Sequence, residues 1–67
     1  MRLSELSGNG KIMGFSEDFV SKRLFAMGCR PGNYVEFILS KGNLCEYRIG
    51  ETLIAVNISG ADGISVE

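Results

Sequence analysis

Two cysteines, eight carboxylates and no histidine are the main reactive groups of this 67-residue chain. Without histidine, the commonest general acid or base near neutral pH is absent, and no Cys–His nucleophilic pair can form. The carboxylates of Glu5, Glu17, Asp18, Glu36, Glu46, Glu51, Asp62 and Glu67 are scattered along the sequence, and only Glu17 and Asp18 are adjacent. That pair suits the positive end of a helix dipole better than coupled acid–base work. Cys29 and Cys45 stand alone, neither in a C-x-x-C pair, and read as buried free thiols, because unpaired cysteine behaves as a small hydrophobe. Transition-metal sites gather three or four ligands, so two distant thiols and dispersed acids predict no metal site and no cofactor. The glycines at 8, 10 and 14 lack the lysine and hydroxyl of a phosphate-binding loop, so GTP is not expected as a ligand. These absences together predict no enzymatic activity.

What remains is a surface. Val20, Leu24 and Met27 fall at i, i+4 and i+7, one face of a helix predicted over 17–27 with Ser16 as its cap. Phe25 lies about 140° around the helix from that stripe, at 100° per residue. Lys22 lies near it on the outward side, and Arg23 and Arg30 are close in sequence. Aromatic and arginine side chains are enriched at interface hot spots, so Lys22, Arg23, Phe25 and Arg30 form the candidate partner-binding set. The competing reading packs Phe25 under the 4–9 link or the hairpin of the 40s, and both stay open at this level.

The elements that would position this surface follow from turn chemistry and periodicity. Gly28 can take the left-handed conformation in which helices commonly close, and Pro31 cannot rejoin the helical ladder. Pro31-Gly32 fits the central positions of a type II turn. Leu3 and Leu6 suit a single helical or 3₁₀ turn, and 11–15 reads as a first strand burying Ile12 and Phe15. Over 34–39, Val35, Phe37 and Leu39 alternate onto the predicted core face, opposite Tyr34, Glu36 and Ile38. Gly42-Asn43 turns into a return strand on which Cys45, Tyr47 and Ile49 alternate with solvent-side Glu46 and Arg48. After Gly50-Glu51, the continuous apolar run at 52–57 suggests a strand covered on both faces or held at a barrel closure. A polar link at 59–63, with room for one 3₁₀ turn, leads to a last strand at 64–66. Five short strands and one helix argue for one small antiparallel barrel over 1–67, an architecture that removes sheet edges.

Size and charge narrow the partners. A chain this short buries only about 60% of its unfolded surface and has no room for a second domain. With a net charge of −1 and no basic run, it lacks the field that drives non-specific nucleic-acid binding. No apolar stretch approaches the roughly 20 residues that span a bilayer, and no signal peptide is visible, so a cytoplasmic protein without membrane insertion is expected.

The ordered motifs carry a family likeness. Leu3-Ser4-Glu5-Leu6 before a glycine, the Arg23-Leu24-x-x-Met27-Gly28-x-x-Pro31-Gly32 core, Gly50 before Leu53-Ile54-Ala55-Val56, and closing Ile64-Ser65-Val66-Glu67 together resemble the FeoA family of bacterial ferrous iron transport. The resemblance covers nearly the whole chain and implies an SH3-like five-stranded antiparallel barrel with one short α-helix inserted after the first strand. It also implies an accessory module binding the cytoplasmic, GTPase-bearing region of the membrane transporter FeoB. Weak self-association is a further contact left open, as is a proline-rich peptide ligand. The alternative is a regulatory peptide- or metal-sensing domain like the C-terminal domain of metal-dependent repressors, although this chain carries no helix-turn-helix. A direct iron chaperone is a third class. Ala26, Cys29 and the tight 41–43 turn depart from the family pattern and bear on partner contacts more than on fold.

Overall fold

The computed structural model describes residues 1–16 and 19–67, with the backbone alone at 19–21. The expectations placed on Glu17 and Asp18, on the Val20 side chain and on the Ser16 cap lie outside the described residues. The elements are a 3₁₀ turn at Leu3–Glu5, β1 (Asn9–Phe15), α1 (Phe19–Ala26), β2 (Tyr34–Lys41), β3 (Leu44–Ile49), β4 (Thr52–Asn57), a single helical turn α2 (Ile58–Ala61) and β5 (Ile64–Val66). The strands pair antiparallel in the order β4-β3-β2-β1-β5.

The mainly β, five-stranded architecture with a helix after the first strand is as expected, but the sheet is not closed. β5 spans three residues, and its far side meets the N-terminal segment through an Arg2–Ser65 bridge and a 2.7 Å bond from the Val66 N–H to the Met1 carbonyl. That contact takes the side of β5 that barrel closure would need, and leaves β4 at the opposite edge.

β1 holds the sheet together by changing partners. Asn9, Gly10 and Lys11 face β2, whereas Ile12, Gly14 and Phe15 face β5, with a register shift between Ile12 and Gly14. The backbones crowd at the changeover. A Cβ on Gly10 would stand 3.0 Å from Leu6 Cδ1 and 3.2 Å from the Glu67 carbonyl, so only glycine fits there without displacement. The core forms beneath this crossing, with Leu3, Ile12, Val35, Tyr47, Ile54 and Ile64 almost wholly buried and Phe15 and Phe37 packed against them.

Three pattern expectations need correction. Leu39 is exposed rather than on the core face, because a bulge between Phe37 and Leu39 sets Phe37 opposite buried Tyr47 but Leu39 opposite Glu46. The extra residue reverses the alternation for the rest of the strand. β4 is covered on one face only: Ile54 and Val56 are buried, while Leu53 and Ala55 face solvent. Met27 is exposed, since α1 has already ended at Ala26 and buried Cys29 folds back beside Leu24 instead.

That fold-back is a Schellman closure. The Cys29 N–H donates to the Leu24 carbonyl at 2.9 Å, the Gly28 N–H donates to the Phe25 carbonyl at 3.1 Å, and Gly28 sits between them at φ +105°. The turn follows at once, with the Asn33 N–H donating to the Arg30 carbonyl at 3.0 Å and Gly32 at φ +96°, as a type II turn requires. Gly28→Ala is expected to cost more than about 1 kcal/mol, because the added Cβ meets only Ile49 at 3.8 Å and the penalty is backbone strain. Gly14→Ala, with open space around it and no positive φ, is expected to be near neutral. Urea denaturation of the two variants checks the contrast.

Candidate interaction site

The end of α1 is held by its own sequence. The Arg30 guanidinium donates from Nε to the Phe25 carbonyl at 3.1 Å and lies 5.3 Å from the centroid of the Phe25 ring. One side chain thereby satisfies a helix-end carbonyl and places a cation over an aromatic face. The Asn33 amide donates to the Gly28 carbonyl at 2.8 Å, closing the same corner from the β2 side. Beneath Phe25 is Phe15 of β1, the two rings tilted by 57° with centroids 5.3 Å apart. Arg30, Phe25 and Phe15 form a stack in which Phe25 keeps 40% of its surface exposed.

The four residues expected at a partner surface separate into two flanks. Phe25 and Arg30 touch. Arg23, four residues before Met27 and on the same side of the helix, lines a different cleft of about 260 Å³ shared with Leu44, Ala55, Val56 and Asn57. Lys22 is exposed, and neither it nor Arg23 forms an ion pair among the described residues. Among the motif residues, Leu24 is buried, Met27 lines the Arg23 cleft, and Gly28, Pro31 and Gly32 make the corner. The role of Phe15 was missed, because its apolar character reads equally as core. Tyr34, placed by alternation on the face away from the core, is 72% exposed at the start of β2 and borders surface clefts with Asn9, Glu36 and Arg48 on one side and Gly28 and Thr52 on another.

A model of the FeoA domain matches the sequence over residues 1–67. The chain belongs to the FeoA domain family. Among solved structures it is similar to the zinc-complexed FeoA of Stenotrophomonas maltophilia, described as an SH3 domain protein and a suggested activating factor of bacterial ferrous iron transport. That likeness has 25% identity and a TM-score of 0.88 over 100% of this chain and 89% of the other. The FeoA protein of Chlorobium tepidum gives 25% identity and a TM-score of 0.88 over 98% and 68%. Iron(II) transport protein A of Clostridium thermocellum gives 28% and 0.89 over 100% of this chain but 44% of that one. A search of curated proteins gave no match. The open five-stranded sheet with its inserted helix is therefore an SH3-like FeoA domain.

The polar groups inside this FeoA domain serve the fold. Tyr47 donates its hydroxyl to the Leu3 carbonyl at 3.0 Å in the core, tying the N-terminal turn to β3, and its ring meets Phe37 edge-on at 5.9 Å. The Ser4 hydroxyl donates to the Asp62 carboxylate, joining the same turn to the end of α2. Glu36 and Arg48 pair across β2 and β3 at 3.1 Å on the outer face. Among the described residues, no three Cys, Asp or Glu side chains gather around a common point. Cys29 and Cys45 are both buried free thiols, and burial pushes the Cys29 thiol up to about 11. Burial moves the Tyr47 phenol upward as well.

Both shifts give stability that is complete below the unfolded-state values. It is lost as pH rises, because the unfolded chain ionises first and then binds fewer protons than the native one. The melting temperature is expected to fall as pH increases from about 9 to about 11, and less steeply in Cys29→Ala, which a thermal scan across that range checks. At neutral pH, iodoacetamide is expected to label neither cysteine in the native protein and both in denaturant. Rapid native labelling would place a thiol at the surface. Tyr47→Phe removes one of the two donors to the buried Leu3 carbonyl and leaves the Leu6 N–H in place, so it is expected to cost about 0.5–1.5 kcal/mol in denaturant unfolding.

Proposed function

We propose that this FeoA domain is a small cytoplasmic accessory protein of bacterial ferrous iron transport. It binds the cytoplasmic, GTPase-bearing region of the membrane transporter FeoB and assists or regulates it. Family membership supports the pathway, and the description of the Stenotrophomonas maltophilia protein as a transport activating factor points the same way. The observation that carries the reading is the Arg30–Phe25–Phe15 stack on the outward end of α1. It is an aromatic anchor held in place before any partner arrives, so little side-chain freedom is lost on binding. Nucleotide hydrolysis belongs to the partner in this scheme, and this chain supplies a shaped surface. Lys22 and Arg23, exposed on the same helix, add positive charge at the rim, where charge acts on association rate more than on lifetime.

Phe25→Ala is expected to weaken binding to the cytoplasmic region of FeoB by about 2 kcal/mol, roughly thirtyfold in Kd. Loss of the Phe15 contact should cost only about 1 kcal/mol of stability. Lys22→Glu should instead slow association and flatten its salt dependence while dissociation stays nearly constant. Calorimetry, surface-based kinetics and thermal melts on the same variants separate these effects. Unchanged affinity in a folded Phe25→Ala protein would contradict the reading.

A further inference from the structure

The open edge of the sheet is unprotected. β5, at the other end, is short and meets residues 1–2. β4 is six residues long, reads Thr-Leu-Ile-Ala-Val-Asn, and carries no charge and no proline, the usual devices that stop an edge strand from pairing with another chain. Its hydrogen-bonding parity is fixed by the hairpin. Ile49 and Thr52 close the two-residue Gly50-Glu51 loop, and the Ile58 N–H donates to the Asn43 carbonyl at 2.9 Å at the far end. Thr52, Ile54 and Val56 therefore bond to β3, and Leu53 and Ala55 turn their backbone N–H and C=O groups outward, as does the N–H of Asn57, whose carbonyl belongs to the first turn of α2. β4 has β3 as its one sheet neighbour, and among the described residues no backbone bond from outside the sheet reaches those outward groups.

Directly beside this edge lies the second flank of α1. Arg23 and Met27 wall one side of the 260 Å³ cleft, and Leu44, Ala55, Val56 and Asn57 wall the other. The cleft is lined by the apolar residues Leu24, Met27, Leu44, Ala55 and Val56 together with Arg23 and Asn57, has room for one large aliphatic or aromatic side chain, and includes no carboxylate in its lining. Glu46, opposite Ala55 on β3, is not part of it. Arg23 stands at the rim with no ion pair among the described residues.

We infer that the β4 edge is a strand-addition site for an extended, acidic segment of a partner protein. That segment pairs with Leu53, Ala55 and Asn57, places an apolar side chain between Met27 and Ala55, and sets a carboxylate against Arg23. Backbone pairing supplies affinity and the apolar and charged positions supply selectivity, as in other cases of β-augmentation. A second copy of this chain fits less well, because it would bring another Arg23 toward the same rim. The inference deepens the interaction-module reading but concerns a surface separate from the Phe25–Arg30 stack, so the two can fail independently.

The test uses a displayed library of random seven-residue peptides against the intact protein. The enriched peptides should combine alternating apolar residues with Asp or Glu, and should slow amide hydrogen exchange at Leu53, Ala55 and Asn57. Ala55→Pro removes an outward N–H that β3 does not use, so the ladder should survive while peptide binding is lost. Arg23→Glu should weaken the acidic peptides at least tenfold, and Phe25→Ala should leave them unchanged. No enrichment, enrichment of basic peptides, or binding that leaves the β4 amides unprotected would overturn the inference. So would self-association in sedimentation that Ala55→Pro abolishes. If Ala55→Pro fails to fold, the exchange pattern of the unsubstituted protein decides alone.

Discussion

The carbonyls of Leu24, Phe25 and Gly28 come at the end of a helix, where no further turn exists to bond them, and the rest of the domain depends on how they are satisfied. Each bond that satisfies such a carbonyl within the chain contributes about 0.5–1.5 kcal/mol net, a sizeable share of what a chain this small has to lose. Here the donors come from four residues: Cys29 for Leu24, Gly28 and the Arg30 side chain for Phe25, and Arg30 and Asn33 for Gly28. Each bond also does a second job. The Cys29 bond brings a buried thiol back to the core, the Arg30 bond lays a cation over Phe25, and the Asn33 bond holds the residue whose carbonyl accepts from the Ile12 N–H of β1.

On the proposed reading, this economy lets a small domain hold its contact surface in one arrangement. Phe25 is not a loose hydrophobe on a helix, because Phe15 supports it from β1 and Arg30 covers it from the turn. The opposite flank of the same helix faces the edge of the sheet through Arg23 and Met27. α1 thus presents two flanks separated by its buried Leu24, and the positive-φ corner at Gly28 closes the end of both.

Much of this was legible in the sequence because local chemistry dictated it. Gly28, Pro31-Gly32, Gly42-Asn43 and Gly50-Glu51 punctuate the chain at positions where turns follow from backbone preferences alone, and the strand and helix order came from them. Alternation on β3 also read correctly, since that strand pairs without interruption to β4. It failed on β2 and at the closure of the barrel, for one shared reason. A bulge near Ile38 and a three-residue β5 are properties of pairing between strands, and neither leaves a mark in the residues of one strand. The candidate site was half legible for a similar reason. Phe25 stood out by its angle on the helix, and Arg30 by its nearness in sequence. Phe15 and the β4 edge join the surface only through the tertiary fold.

The measurement that tests the central claim most directly is a titration of the isotope-labelled chain with the cytoplasmic region of FeoB, followed amide by amide by NMR. If α1 presents the partner surface, perturbations concentrate at residues 22–30 and extend on one side to Phe15 and on the other to residues 53–57. The amides of residues 1–7 and of β5 then stay near their free positions. Perturbations centred on β5 and the N-terminal turn, with the amides of 22–30 unmoved, would contradict the account.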